Sequence, residues 1–238
     1  MHSRSIRVKV IRNDSYIEKR GKIGRYTSLA GLVVLVAGML ISIFRPEYLT
    51  YSFVCLAAGF ALSQIGIYYG NRFVRPDRPD EALTKALKGL DDRYRLYHYQ
   101  LPAPHVLLAP NACYVLAVYP QSGRIMARRD RWRQALGWRW LFAWLGQEGI
   151  GNPTKAIQFD AQSFQQYLAK KLPGVEVPLT PLIVFSHPNV GLDVADMSVP
   201  VVHVKKLKDW LRGSQGDREQ GLTSGIHAQL LQVFDKQG

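Results

Sequence analysis

The chain has 238 residues, a formal net charge of +13 and only two cysteines, and 47% of its residues are hydrophobic. A chain this long and this apolar can bury a core, which argues against a disordered polyelectrolyte. Cys55 and Cys113 lie in dissimilar surroundings, and no Cys-x-x-Cys or His-Glu-x-x-His pattern occurs. The composition therefore favours neither a disulfide scaffold nor a structural zinc site.

The basic residues are concentrated at the N-terminus. Within residues 1–25 basic residues outnumber acidic ones eight to two, which accounts for about half of the net positive charge. Lys and Arg collect beside membrane helices on the cytoplasmic side. We therefore predict a basic cytoplasmic segment over residues 1–25 and only a modest basic bias elsewhere.

Two uncharged runs follow this segment. Residues 26–44 and 48–69 contain no charged side chain, and only Arg45, Pro46 and Glu47 separate them. As a helix, the first run would be about 28 Å long, close to the thickness of a bilayer's hydrocarbon core. The pattern predicts a transmembrane helical hairpin over residues 26–71, the alternative being two helices buried in a soluble core. A cleaved signal peptide fits poorly, since a long charged segment comes first and a second run follows at once.

The charges outside the runs predict the orientation of the hairpin. Arg72, Arg75 and Arg78 follow the second run, so both outer flanks are basic and the connecting turn is not. The positive-inside rule then places both termini in the cytoplasm, as expected for a two-span protein of the inner (cytoplasmic) membrane. The bilayer is thus the first predicted partner.

Glycines in the two runs repeat at seven residues. They are Gly31 and Gly38 in the first run and Gly59 and Gly66 in the second. This spacing puts each pair on one helix face, where two backbones can approach closely. Packing within the hairpin and a homo-oligomer both fit the spacing, and glycine is also simply common in membrane helices.

Residues 72–79 form a predicted linker, and the periodicity after it is that of a soluble α/β domain over residues 80–212. We expect a helix from Asp80 to Tyr94, strands at 94–101, 105–108, 113–119 and 124–128, and a helix at 154–172. Strands at 179–186 and 199–204 and a short helix at 207–211 complete the domain. A polar tail is expected over residues 213–238, with a weak helical patch at 226–234. This order of elements predicts an α/β fold with a central mixed β-sheet flanked by helices.

Several local motifs in this domain point to one family. They are residues 104–119 (PHVLLAPNACYVLAVY), Gly123 to Ile125, Gly151 to Pro153 opening a helix, and Val184-Phe185 ending a strand. As a set they resemble the nuclease-related domain called NERD, which looks like a branch of the restriction-endonuclease-like fold. The resemblance covers roughly residues 80–211 and implies that fold for the domain.

The resemblance also implies where catalytic residues would lie. Members of the family carry an Asp on one strand and Glu-x-Lys on the next, which hold a divalent metal and steady the developing charge. On this sequence the Asp falls on Pro104, beside a matching His105, the Glu on Ala117 and the Lys on Tyr119. All three catalytic positions lack the required residue. We therefore expect no catalysis, no metal ligands and no cofactor, with Glu81 and His105 as candidate remnants of the ancestral site.

Arginine and tryptophan are interleaved between residues 128 and 144, where four of the five tryptophans lie. One interpretation is nucleic-acid binding, with Arg on phosphates and Trp stacked on bases. A second is an amphipathic helix at the membrane surface, and a third is packing of the aromatic rings on the domain while the arginines are solvated. The candidate binding residues are Arg128, Arg129, Arg131, Trp132, Arg133, Trp138, Arg139 and Trp140.

These observations together predict a membrane-anchored, NERD-like protein without catalytic activity. It would bind or scaffold nucleic acid or a protein partner at the cytoplasmic face of the membrane. Two alternatives stay open. One is an active DNA nuclease whose Mg²⁺ ligands have moved to other positions, and the other is a protein-interaction module with no affinity for nucleic acid.

Overall fold

A computed structural model describes residues 8–135, 149–214 and 222–235 of the chain. Within these residues the chain forms two units, a helical hairpin from Asp14 to Arg78 and an α/β unit built from the remaining residues. Because residues 8–13 belong to the α/β unit, the hairpin interrupts that unit in sequence.

Two long apolar helices form the hairpin. Helix α1 spans Asp14–Phe44 and helix α2 spans Leu49–Phe73, with a 3-10 turn at Pro46–Tyr48 between them. Both are long and apolar enough to cross a bilayer, and only 11% and 17% of their most apolar 18-residue windows are buried. The core helices of a soluble protein would be mostly buried. The prediction of two helices that could span a membrane is therefore confirmed.

Helix α1 is longer than the predicted span over residues 26–44. It begins at Asp14, a favourable residue at the positive end of the helix dipole. Glu18 and Lys22, one turn apart, form an ion pair of 2.8 Å, and such pairs support the helix beyond its apolar part. The second half of the basic segment expected over residues 1–25 thus forms the first turns of α1, and the cytoplasmic location of that segment stays a prediction.

Small residues spaced seven apart bring the two helices together. Four of the five buried positions in α1 lie as far before Arg45 along the chain as the four buried positions in α2 lie after it. A Cβ added at Gly31 or at Gly59 would lie 3.0 Å from the carbonyl oxygen of the other glycine. Ser52 Oγ donates a hydrogen bond of 2.6 Å to the carbonyl oxygen of Gly38. The glycine repeat therefore packs the hairpin against itself, as small residues do in membrane helix pairs. The small residues of the repeat are Gly24, Gly31 and Gly38 in α1 and Ser52, Gly59 and Gly66 in α2, and the larger Ile17 and Phe73 continue the same spacing.

The α/β unit contains nine described strands. They are β1 Lys9–Arg12, β2 Arg95–His98, β3 His105–Ala109, β4 Ala112–Tyr119, β5 Gly123–Arg128, β6 Arg131–Ala135, β7 Leu179–Phe185, β8 Val190–Ala195 and β9 Val201–His203. Six of them form one sheet in the order β1-β2-β3-β4-β7-β9. Strand β3 is antiparallel to both β2 and β4, and the other pairs are parallel. The predicted mixed α/β architecture is confirmed.

Strand β1 precedes the hairpin in the sequence, whereas the other strands of this sheet follow it. Its residues Lys9 to Arg12 pair in parallel with Arg95 to His98 of β2. The sequence analysis missed this strand because its basic residues were attributed to the membrane flank. The sheet thus unites the chain before the hairpin with the chain after it.

A second sheet has the order β6-β5-β8. Strand β6 is antiparallel to β5 and β8 is parallel to it. Neither outer strand was predicted. Strand β6 was interpreted as part of the Arg/Trp segment, and the alternating Val190, Leu192 and Val194 of β8 were not recognised as a strand. The part of the Arg/Trp segment in β6 is extended, so the helical interpretation does not apply to it.

Four described helices pack on these strands, α3 at Pro79–Ala86, α4 at Pro153–Lys171, α5 at Leu207–Ser214 and α6 at Ser224–Asp235. Helix α4 agrees with its prediction, and the Asn152 side chain accepts a hydrogen bond from the Lys155 N–H at its N-terminus. Helix α3 ends before the predicted Tyr94. Gly89, with a φ of +91°, adopts a conformation that an α-helix does not contain.

The C-terminal segment belongs to the core of the α/β unit. Helix α6 buries Leu230 and Phe234 completely or nearly so, at 0% and 1% exposed. Arg95 and Tyr97 of β2 both hydrogen-bond to the Asp235 carboxylate. The sequence predicted a domain that ends at residue 212 and a polar tail over 213–238. The unit instead continues through α6, because the apolar face of this helix completes the core.

Gly59→Ala should weaken the hairpin. The added Cβ would lie 2.7 Å from Leu35 Cγ and 2.9 Å from the Leu35 backbone nitrogen, and overpacking of this kind costs about 1–3 kcal/mol. Thermal unfolding of the full-length protein in detergent micelles should show a lower midpoint. Gly70→Ala is the matched control because nothing lies within 4 Å of its added Cβ. An equal loss in both variants would contradict this packing.

Phe234→Ala should destabilise the α/β unit by about 3–5 kcal/mol, the usual cost of deleting a fully buried aromatic ring. Phe159→Ala removes the same atoms from a side chain that is 69% exposed and should change the unfolding free energy by less than about 0.5 kcal/mol. Urea unfolding of the full-length protein followed by circular dichroism measures both. If the C-terminal helix were a loose tail, the two variants would behave alike.

Candidate functional site

A basic surface begins on the central strand of the second sheet. Side chains of a strand alternate between its two faces. In β5, Ile125 and Ala127 are buried, at 0% and 1% exposed, whereas Arg124 and Arg128 are exposed. The arginines of β5 therefore lie on the outer face of the sheet.

Strand β6 extends this surface. Trp132 packs against the buried core cluster, so its neighbours Arg131 and Arg133 lie on the outer face, where both are exposed. Arg129, in the turn between β5 and β6, is exposed as well. We call this surface the arginine face, and it consists of Arg124, Arg128, Arg129, Arg131 and Arg133.

The charges of the arginine face are only partly balanced. Arg124 pairs with Asp193 of β8 at 3.0 Å. In the described ranges 8–135, 149–214 and 222–235, the other four arginines make no salt bridge. Arg128 lies directly opposite Arg131 in the register of the two strands, and like charges in that position are destabilising. A bound anion would relieve this repulsion.

Asp130, in the same turn, is engaged elsewhere. Its Oδ1 accepts hydrogen bonds from the Thr154 hydroxyl and from the Ser198 backbone N–H, each at 3.2 Å. Its φ of +60° places it in the left-handed region, which Asp tolerates better than most residues. The only carboxylate within the turn is thus held by α4 and the segment before β9.

Trp132 is the one predicted tryptophan of the binding segment that the structure describes. Its indole N–H donates a hydrogen bond of 2.9 Å to the Thr154 hydroxyl. Its ring lies 5.9 Å from that of Phe185, centre to centre. The third interpretation, packing of the ring on the domain, is the one that applies to this residue. The other predicted binding residues, Trp138, Arg139 and Trp140, lie outside the described residues.

Two of the three positions that the family resemblance assigns to catalysis, Ala117 and Tyr119, share one face of β4, and the third, Pro104, directly precedes β3. Ala117 and Tyr119 pack against the same core cluster as Val106. The Tyr119 ring lies 5.7 Å from that of Phe185. The surface at Ala117 and Tyr119 is therefore apolar and aromatic.

The two candidate remnants do not lie with these positions. His105 pairs directly across the strands with His98, and the Thr84 hydroxyl of α3 lies 3.1 Å from His98 Nε2. This places His105 on the opposite face of the sheet, under α3. Glu81 is exposed on α3 itself. The structure thus places His105 on the face of the sheet opposite to Ala117 and Tyr119.

A buried histidine pair lies under α3. The Nδ1 atoms of His98 and His105 are 2.9 Å apart, and the two residues are 0% and 3% exposed. A neutral imidazole has one donor and one acceptor nitrogen. This hydrogen bond therefore needs one protonated and one unprotonated Nδ1 atom, which two imidazolium rings could not provide.

The surroundings of the pair favour the neutral rings. Burial, followed by the positive charge of Arg12, lowers the pKa of His98 to about 3. Burial, followed by the neighbouring His98, holds the pKa of His105 well below 6.5. Arg12 itself lies 3.4 Å from the buried Asp80 carboxylate. The pair, Thr84 and the Arg12–Asp80 contact thus connect β1, β2, β3 and α3.

His105 was predicted from the sequence as a candidate residue, whereas His98, Thr84 and Arg12 were not. The sequence does indicate that His98 and His105 could lie close together. Arg-Leu-Tyr-His and His-Val-Leu-Leu-Ala are two strands joined by a short Pro-containing turn, with a histidine at the turn end of each. Only the register decides that the two histidines face each other, and a shift of one residue would have put them on opposite faces. Arg124 was not predicted as a binding residue either, because only the register of β5 and β6 shows that it shares a face with Arg131 and Arg133.

The comparisons with known proteins identify no relative. No family model, no curated protein and no solved structure matches this chain. Within the described residues no group of three or more His, Cys, Asp and Glu side chains could hold a metal ion. The resemblance to the NERD family stays a prediction.

The histidine pair should make folding stability depend on pH. The pKa of both rings is lower in the folded state than the 6.5 expected when unfolded. Below pH 6.5 the unfolded chain therefore takes up protons that the folded chain does not. The free energy of unfolding should fall as the pH decreases from about 6.5 towards 4, by up to about 1.4 kcal/mol per pH unit for each ring.

Urea unfolding at a series of pH values measures this slope. Replacing both rings, in the variant His98→Phe/His105→Leu, should flatten it below pH 6.5. His187→Gln, in the loop after β7, is the control and should leave the slope unchanged. A wild-type stability that is constant between pH 6.5 and 4 would show that the buried pair accepts protons.

Proposed function

We propose that this chain is a membrane-anchored nucleic-acid-binding protein. The hairpin holds it in the inner (cytoplasmic) membrane, and the arginine face of the α/β unit binds the phosphate backbone of nucleic acid in the cytoplasm. The observation that carries the proposal is the arginine face itself, where four exposed guanidinium groups without a salt bridge to any described residue share one turn and two strands.

The sheet topology supports the proposed arrangement in the membrane. A hairpin that crosses a bilayer twice returns the chain to the side from which it started. The pairing of β1 with β2 requires that the chain on either side of the hairpin be on one side of the membrane. The basic residues flanking α1 and α2 favour the cytoplasm as that side.

The chemistry of the arginine face favours phosphate over other anions. A guanidinium group presents a fork of N–H donors that matches two phosphate oxygens. Arg131 and Arg133, two residues apart on one strand, are separated by about 7 Å. A row of charges on a sheet suits a polymer of evenly spaced phosphates. The contacts would be to the backbone, so binding would depend on salt and little on sequence.

The resemblance to the NERD family suggests how a binding protein of this kind could have arisen. We propose a restriction-endonuclease-like domain that has lost its catalytic residues at Pro104, Ala117 and Tyr119 and kept a surface for nucleic acid. Retained binding without cleavage is consistent with the aromatic contact of Tyr119 with Phe185 at one of these positions. The domain would then act by holding nucleic acid at the membrane.

Retention of a fluorescent 20-base-pair DNA duplex tests the proposal. The full-length protein is placed in nanodiscs of zwitterionic lipid, so that lipid charge does not compete. The triple variant Arg129→Gln/Arg131→Gln/Arg133→Gln should bind more weakly. The slope of log K against log salt should become less negative by about 2–3, since each lost phosphate contact contributes about 0.9.

The matched control removes three charges elsewhere, in Lys155→Gln/Lys170→Gln/Lys171→Gln on α4, and should retain most of the affinity. Equal effects of the two triple variants would contradict a site on the arginine face. Loss of binding to anionic vesicles alone would favour the membrane-surface interpretation. Mg²⁺-dependent nicking of a plasmid, abolished by Glu81→Gln, would favour the active nuclease.

A further inference from the structure

Strand β8 presents an open edge. It is the last strand of the second sheet and pairs with β5 on one side. Among the described residues no strand pairs with its other side. Over the six residues Val190–Ala195 it carries one charged side chain, Asp193, and no proline. Edge strands are usually protected by charges, proline or a bulge, and an unprotected edge is a template for another strand.

An apolar groove of about 750 Å³ lies beside this strand. Its β8 side is formed by Val190, Leu192 and Val194, which alternate along the strand and so share one face. Val201 of β9 and Trp210 of α5 line it as well. The groove therefore accepts side chains that arrive at every second position of a neighbouring strand.

The rim of the groove is basic. Lys205 and Lys206, which follow β9, line it and are exposed. Asp209, in the first turn of α5, is the acidic residue among the lining side chains. Both ring nitrogens of His203 already have partners within the protein. Nδ1 accepts a hydrogen bond from the Lys205 backbone N–H, and Nε2 lies 3.1 Å from the His187 carbonyl oxygen. An acidic group would find two adjacent ammonium groups at this end.

We infer that β8 and the groove bind an extended segment of a partner protein that adds to the sheet as a further strand. The segment has apolar residues at alternate positions, which enter the groove, and acidic residues at one end, which contact Lys205 and Lys206. Backbone pairing along β8 spans about 20 Å, or roughly six residues of the partner. Main-chain hydrogen bonds supply affinity and the alternate side chains supply specificity, as in other cases of strand addition.

This surface is separate from the arginine face. The groove lies on the side of β8 that carries Val190 and Leu192, whereas Asp193, the partner of Arg124, lies on the other side. A protein segment and a nucleic acid could thus be bound by the two faces of one sheet.

Two fluorescent octapeptides test the inference on the full-length protein in nanodiscs. Each has six residues of alternating valine and threonine, with two aspartates at either the amino or the carboxyl end. We expect at least one to bind, measured by fluorescence anisotropy. Replacing its aspartates with lysines should weaken binding about tenfold. Binding should also protect the backbone amides of β8 from hydrogen exchange.

Lys205→Glu/Lys206→Glu should weaken binding of the aspartate peptide about tenfold and restore the lysine peptide. The matched control Lys170→Glu/Lys171→Glu reverses two adjacent exposed charges at the end of α4 and should leave both affinities unchanged. Absence of binding by both aspartate peptides would overturn the inference, as would binding without protection of β8. A dimer of the protein that is lost in the Lys205→Glu/Lys206→Glu variant would show instead that a second copy occupies the edge.

Discussion

The parallel pairing of β1 with β2 is the interaction on which the organisation of the chain depends. Four residues that precede the hairpin supply the edge strand of a sheet whose other strands all follow it. The polar cluster of Arg12, Asp80, Thr84 and the two histidines lies at the end of this pairing, where β1 leads into α1. The fold therefore fastens the chain to the α/β unit on both sides of its apolar helices.

The main sheet keeps two chemistries apart. The face under α4 is packed with the aromatic rings of Tyr119, Phe185 and Trp132. On the face under α3, a neutral histidine pair is buried. The row of arginines in β5, β6 and their turn lies apart from both faces, on the second sheet.

Much of the architecture could be predicted because it follows from local patterns. The uncharged runs around Pro46, the glycines seven residues apart, and the β-branched residues of β3, β4 and β7 identify elements by composition and period. Strands β1, β6 and β8 were not identified in that way. These short segments contain charged residues or glycine, and their strand conformation depends on pairing with neighbours in the sheet.

The candidate site was predictable to a smaller extent. The arginines of residues 128–133 stand out in the sequence, yet which of them share a face with Arg124, and that Trp132 is turned to the core, follow from the register of β5 and β6. The same holds for His98 and His105, which are brought together across a turn. Composition indicates the kind of chemistry present, whereas register decides which side chains act together.

The position of β1 in the sequence also determines when the six-stranded sheet can be completed during synthesis of the chain. This strand leaves the ribosome first, but its partner β2 is made only after both apolar helices. The six-stranded sheet is therefore completed after the hairpin has left the ribosome, and the edge of β2 stays open until then. Completion of the sheet is thus a late step that joins a strand made before the two apolar helices to strands made after them.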